Sequence, residues 1–352
     1  MIAQPKIEII ALLQALIAIP SFSKEEDKTR QLILDSLQSC CDDVQVSGNN
    51  VWVKNKYFKE GKPTILLNSH HDTVRPNQAY TRDPFKGEII DGKLFGLGSN
   101  DAGGCLVALM AAFLHFYDKD GLKYNLVFLA SAEEENSGDG GIRSVLKLLP
   151  PVNFALVGEP TSMNMAIAEK GLLVLDCYAH GTPGHAAHSN NDNSIYKAMA
   201  AIDWFRKFRF PKISESLGEI KMTITQIDAG KEHNVVPATC HFVVDIRVTE
   251  QYSNREVLEI VKNNVGVEVK ERSLRLNSSF IPKDHPIVQA GIKLNLKAYG
   301  SPTLSDQSNL SSPSLKIGPG DTLRSHSADE FIFVDEIYQG LDLYIKLLNE
   351  IL

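Results

Sequence analysis

The chain has 352 residues, of which 43% are hydrophobic and 22% charged, and its formal net charge is −7. This length exceeds one ordinary core, so two domains are expected, and the acidic balance without a basic stripe argues against a nucleic-acid partner. Apolar runs stay well below the roughly 18 residues of a membrane span. Residues 1–6 lack the pattern of a secretory leader, and five cysteines, an odd number, fit reduced thiols. We therefore expect a cytoplasmic protein that does not bind membranes.

Short apolar runs ended by turn residues predict buried strands of a parallel sheet. Helices are predicted over residues 7–18, 21–41, 103–117 and 287–299, the second with Ser23 and Glu26 as a capping box. Strands are predicted at residues 44–46, 51–53, 64–69, 125–130, 154–157 and 314–317. Strands that alternate with helices indicate an α/β fold with a mostly parallel, doubly wound sheet.

The middle of the chain has a different pattern. Its predicted elements are a strand, a helix, two strands, a helix and a strand, at residues 172–180, 194–208, 220–227, 240–248, 254–264 and 267–274. This β-α-β-β-α-β order is typical of a ferredoxin-like α+β domain. We therefore predict a catalytic domain at 1–170 and 277–352, interrupted by an inserted domain at 171–276.

Acidic residues and histidines follow several of the predicted buried strands. In open α/β sheets, ligands bind beyond the carboxyl ends of the strands, so these side chains are expected to meet at one edge. The residues concerned are His70, Asp72, Asp101, Glu133, Glu134, Glu135, Glu159 and His326. Nitrogen and oxygen donors without cysteine favour zinc, with cobalt or manganese as alternatives, and suit a hydrolytic two-metal site.

Each of these residues taken alone also has a plainer interpretation. His70 and Asp72 are two apart on a strand end and therefore face the same way, which lets the carboxylate orient the ring, but a surface histidine and a turn aspartate fit as well. Asp101 could be a helix N-cap, and an acidic triplet is usually a solvated face. A loop residue is the ordinary interpretation of Glu159 and of His326.

Taken together, the motifs resemble those of the M20 metallopeptidase family, which includes acetylornithine deacetylases, succinyl-diaminopimelate desuccinylases, aminoacylases and carboxypeptidases. They are His70-His71-Asp72, Gly98-Ser99-Asn100-Asp101, Glu134-Glu135, Gly158-Glu159-Pro160-Thr161 and His326. The resemblance implies one zinc held by His70, Asp101 and Glu159. It implies a second zinc held by Asp101, Glu135 and His326. Glu134 would be the general base, and Asp72 would orient His70.

By the same resemblance, the inserted domain would be a lid and dimerisation domain. Gly181-Thr182-Pro183-Gly184-His185 is similar to the family's lid motif, whose histidine is supplied across a homodimer to stabilise the oxyanion. Asn234, Arg247 and Gly318 would contact substrate. A structural role for His185, and strand capping by Asn234 and Arg247, remain the alternatives. Leu97 and Gly103 depart from the residues that many members carry, which leaves the subfamily open.

These observations predict a di-zinc amidohydrolase that removes an acyl group from a small N-acyl amino acid. N-acetylornithine is the first expected substrate, followed by N-acetylcitrulline or an N-succinyl amino acid, with a role in arginine biosynthesis. The alternatives are a di- or tripeptidase or carboxypeptidase of the same family, and a metal-free binding relative without catalysis.

Overall fold

The computed structural model describes residues 7–188 and 192–352. Residues 1–6, on which the expectation about a secretory leader depends, lie outside this part. The helices are α1 (Ile9–Ile17), α2 (Asp27–Gln38), α3 (Gly104–Phe116), α4 (Ile142–Val145), α5 (Ser194–Lys207), α6 (Asn254–Lys262), α7 (Pro286–Lys293) and α8 (Val334–Asn349). The strands are β1 (Gln45–Ser47), β2 (Asn50–Lys54), β3 (Thr64–His70), β4 (Ile89–Ile90), β5 (Lys93–Phe95), β6 (Asn125–Ser131), β7 (Phe154–Val157), β8 (Met165–Glu169), β9 (Gly171–His180), β10 (Gly184–His185), β11 (Lys221–Ala229), β12 (Val235–Val236), β13 (Thr239–Val248), β14 (Glu268–Glu271), β15 (Ser279–Phe280), β16 (Ala298–Ser301), β17 (Ser314–Lys316) and β18 (Phe331–Phe333).

The chain divides into two units. The first consists of the described part of Met1–Ile167 with Ile281–Tyr299 and Ser305–Leu352, and the second of Ala168–Phe280 and Gly300–Leu304. The segment 171–276, predicted from the sequence as an insertion, lies inside the second unit.

The main sheet of the first unit has the strand order β1-β2-β6-β3-β7-β17-β8. Its four central strands, β6, β3, β7 and β17, run parallel. The strands β1, β2 and β8 run antiparallel to their neighbours. The predicted α/β fold is confirmed, and its sheet is mixed, with parallel strands at the centre and antiparallel strands at the flanks. The strands β1 and β2 form a hairpin, and its short turn requires antiparallel pairing.

Both faces of the parallel strands are buried. In β3, Ile65 and Leu67 pack into the large core formed with α1, α3 and α8, whereas Leu66 packs into a smaller core with residues of α4. Every residue of β3, β6 and β7 is buried. This double coverage explains why the strands are continuous apolar runs with no alternation.

The second unit contains a four-stranded antiparallel sheet with the order β11-β13-β9-β14. Alternate residues of β9, including Leu173, Leu175 and Cys177, face a core shared with α5 and α6. The elements follow one another in the β-α-β-β-α-β order that the sequence predicts. A separate two-stranded ribbon pairs β10 with β12.

Two predicted helices are shorter than expected. The helix α2 begins at Asp27, and the predicted capping box does not form because Ser23 Oγ donates to Asp72 while Glu26 accepts from Lys24 N and Asn49 Nδ2. The helix α7 ends at Lys293, and Asn295 then adopts a positive φ of 63° that ends helical geometry.

Among the described residues, no helix is long and apolar enough to cross a membrane. The five cysteines all fall within this part of the chain, and no disulfide joins them.

Candidate metal centre

The residues predicted as metal ligands lie where the central strands of the first unit end. His70 is the last residue of β3, and Glu135 and Glu159 lie in the turns that follow β6 and β7. Asp101 lies in the irregular turn at residues 99–103 that precedes α3, and its peptide bond to Ala102 is cis. His326 lies in the loop between β17 and β18. The sheet topology therefore gathers donors from five distant segments.

Three of these side chains form a first group. His70 Nε2 lies 3.3 Å from Asp101 Oδ1 and 3.6 Å from Glu159 Oε1. Donors around tetrahedral zinc, with bonds of roughly 2.0–2.1 Å, are separated by about 3.3 Å. The side chain of His70 is 1% exposed, so the ring is fixed by its surroundings. The spacing therefore suits one ion.

A second group shares Asp101 with the first. His326 Nε2 lies 3.7 Å from Asp101 Oδ2 and 2.9 Å from Glu135 Oε2. Within each group the ligand atoms all lie within 4.8 Å of one another. Because Asp101 presents Oδ1 to one group and Oδ2 to the other, its carboxylate is placed to bridge two ions.

The donor set passes a further test of fit to a metal. Glu159 Oε1 is buried and has no hydrogen-bond partner among the described residues. A buried acceptor that lacks a partner costs about 1–3 kcal/mol, and a cation would remove that cost. The two groups combine imidazole nitrogen with carboxylate oxygen and contain no thiolate, a combination that suits zinc and also cobalt or manganese.

The electrostatics of the cluster also favour a bound cation. Burial raises the pKa of Glu134 well above its usual range, and it raises the pKa of Glu159 to about 8. Burial alone would lower the pKa of His70, but the contacts with Asp101 and Asp72 outweigh it and raise that pKa well above its usual value. Carboxylates crowded in this way repel one another, and a nearby positive charge would lower their pKa values.

Asp72 is placed to orient His70. Its backbone carbonyl lies 3.0 Å from His70 Nδ1, and its carboxylate Oδ1 lies 3.5 Å from the same nitrogen. An Nδ1–H that faces these oxygens leaves Nε2 unprotonated on the side of the metal groups. The neighbouring His71 faces away, with Nδ1 at 2.9 Å from Thr29 Oγ1 and Nε2 at 2.9 Å from the carbonyl of Asn49.

The three consecutive glutamates at 133–135 have different surroundings. Glu133 adopts a positive φ of 51°, and its carboxylate lies against the loop at residues 138–140, where Gly140 N donates to it at 3.4 Å. The glycines there leave no space for a side chain, since an added Cβ on Gly138 would lie 1.8 Å from Glu133 Oε2. Glu135 contacts His326, and the charge of Glu134 acts on His70.

Gly318 lies directly behind this cluster in the first unit. A Cβ there would lie 2.6 Å from both Cys105 Sγ and the carbonyl of Glu159. Its N–H donates to Thr161 Oγ1, and its carbonyl accepts from the N–H groups of Thr161 and Met163. Its observed role is thus close packing, and its predicted contact with substrate stays a prediction.

The other predicted residues belong to the second unit. His185 and Asn234 are neighbours on the β10–β12 ribbon, where Ala186 N donates to the carbonyl of Asn234. His185 is exposed and its Nδ1 accepts from Ala187 N at 3.1 Å, so the ring proton of the neutral form lies on Nε2. Arg247 makes a bidentate pair with Asp245 at 2.8 and 3.1 Å.

Sequence reasoning missed two buried carboxylates beside the cluster. Asp306 accepts hydrogen bonds from Asn68 Nδ2 and Ser131 Oγ at the ends of β3 and β6. Glu330 accepts three backbone N–H bonds from the turn that holds Asp101. Neither follows an apolar strand, so the pattern that located the other residues gave no signal for them.

An α/β unit that gathers two histidines and several carboxylates at its strand ends defines a candidate metallohydrolase. The sequence profile of Peptidase family M20/M25/M40 matches residues 66–350, and the chain belongs to this family. The family resemblance predicted from the motifs is thereby confirmed, and the chain is a member of a family of amide-bond hydrolases.

Two relatives match over nearly the whole chain. The [LysW]-lysine/[LysW]-ornithine hydrolase of Sulfurisphaera tokodaii is 25% identical over 354 residues, covering 98% of this chain and 96% of the relative. The acetylornithine deacetylase of Buchnera aphidicola subsp. Schizaphis graminum is 25% identical over 356 residues, covering 92% of each.

The fold is shared with solved structures. The Bacillus subtilis YXEP protein, a dinuclear metal binding peptidase from the M20 family, matches with a TM-score of 0.70 at 17% identity. The match covers 97% of each chain.

Proposed function

We propose that this chain is a two-metal hydrolase that removes an acyl group from a small N-acyl amino acid. The observation that carries the proposal is the position of Asp101, whose two carboxylate oxygens face two separate ligand groups. A pair of divalent ions held there would act as Lewis acids that polarise an amide carbonyl and activate water. Zinc is the proposed metal, with cobalt as a substitute, because the donors are imidazole and carboxylate.

Glu134 is the proposed general base. It takes the proton from the attacking water and delivers it to the nitrogen of the leaving amine, so that the acyl group leaves as a carboxylate. Its buried surroundings raise its pKa above the usual range of a glutamate, which makes it a stronger base than an exposed carboxylate. Asp72 holds the ring of His70 in one tautomer throughout.

Residues of the second unit are proposed to complete the reaction. His185 of a partner subunit would donate its Nε2–H to the oxyanion, in keeping with the hydrogen bond that occupies Nδ1. Arg247 would hold the substrate carboxylate with its two parallel N–H groups, and Asn234 would hold a polar group of the substrate. The pair with Asp245 uses Nε and Nη2, so Nη1 and the second hydrogen of Nη2 remain for a substrate carboxylate.

N-acetylornithine is the first proposed substrate, with N-acetylcitrulline and N-succinyl amino acids next, which would place the reaction in arginine biosynthesis in the cytoplasm. Support comes from the two relatives, whose names describe cleavage of an amide on an ornithine- or lysine-type amino acid.

A peptidase is the second candidate, because a dinuclear metal binding peptidase shares the fold. A binding protein without catalysis is disfavoured by the two ligand groups that the fold brings together.

A substrate panel with zinc or cobalt separates these functions. We expect turnover of N-acetyl or N-succinyl amino acids to exceed turnover of di- and tripeptides, and efficient release of amino acids from peptides would favour the peptidase. Glu134→Gln should abolish turnover while leaving metal content unchanged, and Glu133→Gln provides the matched control on the neighbouring carboxylate. Equal loss of activity in both variants would contradict the assignment of Glu134.

A homodimer through the second unit is also proposed. The strand β11 is the edge of its sheet, and Ile227 on it is 58% exposed. The adjacent helix α5 exposes 69% of Tyr196 and 58% of Met199. An exposed edge strand with apolar neighbours favours strand-to-strand association. Light scattering should give a dimer for the natural chain and a monomer for Ile227→Lys, and an unchanged mass would contradict this interface.

A further inference from the structure

The loop that carries His326 lies at the surface and needs support. The side chain of His326 is 55% exposed, in contrast to 1% for His70. His326 and Asp329 both adopt positive φ angles, 57° and 53°, which are unfavourable for residues other than glycine. A conformation of this kind persists only where other contacts fix it.

Glu330 provides the strongest of those contacts. Its side chain is 2% exposed, and its Oε1 accepts from Asn100 N at 2.8 Å and Asp101 N at 2.9 Å. Its Oε2 accepts from Gly98 N at 3.1 Å. Three backbone N–H groups of residues 98–101 thus end on one buried side chain, so Glu330 holds the whole turn that carries Asp101.

These hydrogen bonds connect two candidate ligands of the second group, Asp101 and His326, through a short stretch of chain. His326 precedes Glu330 by only four residues, and His326 Nε2 lies 3.7 Å from Asp101 Oδ2. Asn100 adds a second tie, since its Oδ1 accepts from Asp321 N and its Nδ2 donates to the carbonyl of Asp321. The first group shares Asp101, but its other two members, His70 and Glu159, are held at the ends of β3 and β7. In the second group, both Asp101 and His326 lie on the segments that Glu330 joins.

We propose that Glu330 is a positioning residue that sets the distance between Asp101 and His326. It thereby raises the metal affinity of the second group. The proposal rests on the two-metal function proposed above. Glu330 belongs to neither ligand group and acts through the backbone of residues 98–101 and 326–330. Loss of its carboxylate loosens one member of the first group, Asp101, and two members of the second, Asp101 and His326, so the second group is weakened more.

Metal binding to the natural chain and to Glu330→Gln tests this directly. After removal of metal with a chelator, zinc is titrated calorimetrically, and cobalt binding is followed by visible absorption. We expect two ions in the natural chain. In Glu330→Gln, the first ion should lose at most a few-fold in affinity, and the second should bind roughly 10- to 100-fold more weakly, the usual effect of losing a partner that orients a ligand.

The control is Asp329→Asn in the same loop. Its carboxylate also accepts three hydrogen bonds, from Thr81 N, Thr81 Oγ1 and Arg82 N, but none from the turn of Asp101. It should bind both ions like the natural chain. If Glu330→Gln does not fold, Glu330→Asp keeps the charge, shortens the side chain by one methylene and supports the same comparison.

The outcomes separate the two proposals. A natural chain that binds fewer than two ions overturns the two-metal function. A natural chain that binds two ions, with a Glu330→Gln variant that also binds both with unchanged affinity or loses both equally, overturns the positioning role alone. A lower melting temperature without a selective loss of the second ion likewise assigns Glu330 to folding and not to positioning.

Discussion

Ser23 Oγ donates a hydrogen bond of 2.7 Å to Asp72 Oδ2, which joins the segment before α2 to the cluster of candidate metal ligands. The same carboxylate accepts from Glu134 N at 3.0 Å and Glu135 N at 3.2 Å. Asp72 therefore positions the acidic turn as well as His70, and Ser23 fixes the orientation of Asp72.

Ser23→Ala should destabilise the protein by about 1–2 kcal/mol, since it removes a hydrogen bond to a buried charge. It should also lower kcat more than it raises KM, because the general base would be less well placed. Urea denaturation and steady-state kinetics measure the two effects. Ser39→Ala, which removes an exposed hydrogen bond to the carbonyl of Ser36, is the control and should change neither.

Gly318→Ala should displace the backbone of Glu159 in the candidate metal site. The new methyl group would meet the carbonyl of Glu159 at 2.6 Å, and backbone cannot move aside as a flexible side chain can. We expect a loss of about 1–3 kcal/mol of stability from overpacking, together with weaker binding of the first metal ion. Gly61→Ala is the control, because open space surrounds it and only its φ of 78° is strained. Unchanged metal affinity in Gly318→Ala would show that this contact does not position Glu159.

His185→Ala tests the proposed oxyanion donor. Loss of such a donor typically lowers kcat by about 10²- to 10³-fold, and metal content should remain that of the natural chain. His188→Ala is the matched control, since its ring centroid lies 5.6 Å from that of His185 on the same exposed loop. Kinetics and metal analysis of both variants decide the question, and similar kcat values for the two would remove His185 from the mechanism.

The pair of Asp176 and Arg272 predicts a pH dependence of stability in the second unit. Arg272 makes two hydrogen bonds to Asp176, at 2.8 and 3.0 Å, and His241 Nε2 lies 2.9 Å from the same carboxylate. The bonds to Arg272, with a smaller effect of His241, lower the pKa of Asp176 to about 2. A lowered pKa means that the stabilisation is complete above the unfolded value near 3.8 and is lost as pH falls towards 2.

Arg272→Ala should therefore cost about 1 kcal/mol at neutral pH, a value reduced for the solvent exposure of the arginine. The difference from the natural chain should disappear as pH falls from 4 to about 2. Urea denaturation in the presence of a chelator separates this effect from metal loss. Lys59→Ala, which removes an exposed ion pair with Asp120, should have no measurable effect at any pH.

The central strands, and the candidate ligands at their ends, could be located from the sequence, because each strand is buried on both faces and so appears as an uninterrupted apolar run. His70, Glu135 and Glu159 could be located for the same reason, since position after a strand determines which edge of the sheet they reach. The role of each glutamate in the triplet at 133–135 was harder to predict from the sequence. Its division of roles depends on the positive φ of Glu133 and on the glycines that enclose that carboxylate, and neither is visible in a run of three identical residues.

Other features depend on contacts between distant segments and were not predictable. The start of α2 was placed too early because Ser23 and Glu26 have partners far along the chain that compete with a local cap. The strand β8 and the helix α8 were not predicted, although α8 carries buried residues at helical spacing, including Ile337, Leu341, Tyr344 and Leu348. Glu330 follows no apolar strand, and its role becomes visible only when residues 98–101 are seen beside it.

The helix α8 lies beneath the strand that leads to Gly318. Tyr344 Oη donates to the carbonyl of Ile317 at 2.6 Å in a fully buried position, and Gly340 packs against Pro319. Tyr344 is also later in the sequence than all of the proposed ligands. During translation, every proposed ligand is therefore synthesised before Tyr344, whose hydroxyl supports the backbone at Ile317. The hydrogen bond that supports Ile317 can therefore form only after residue 344 has been synthesised.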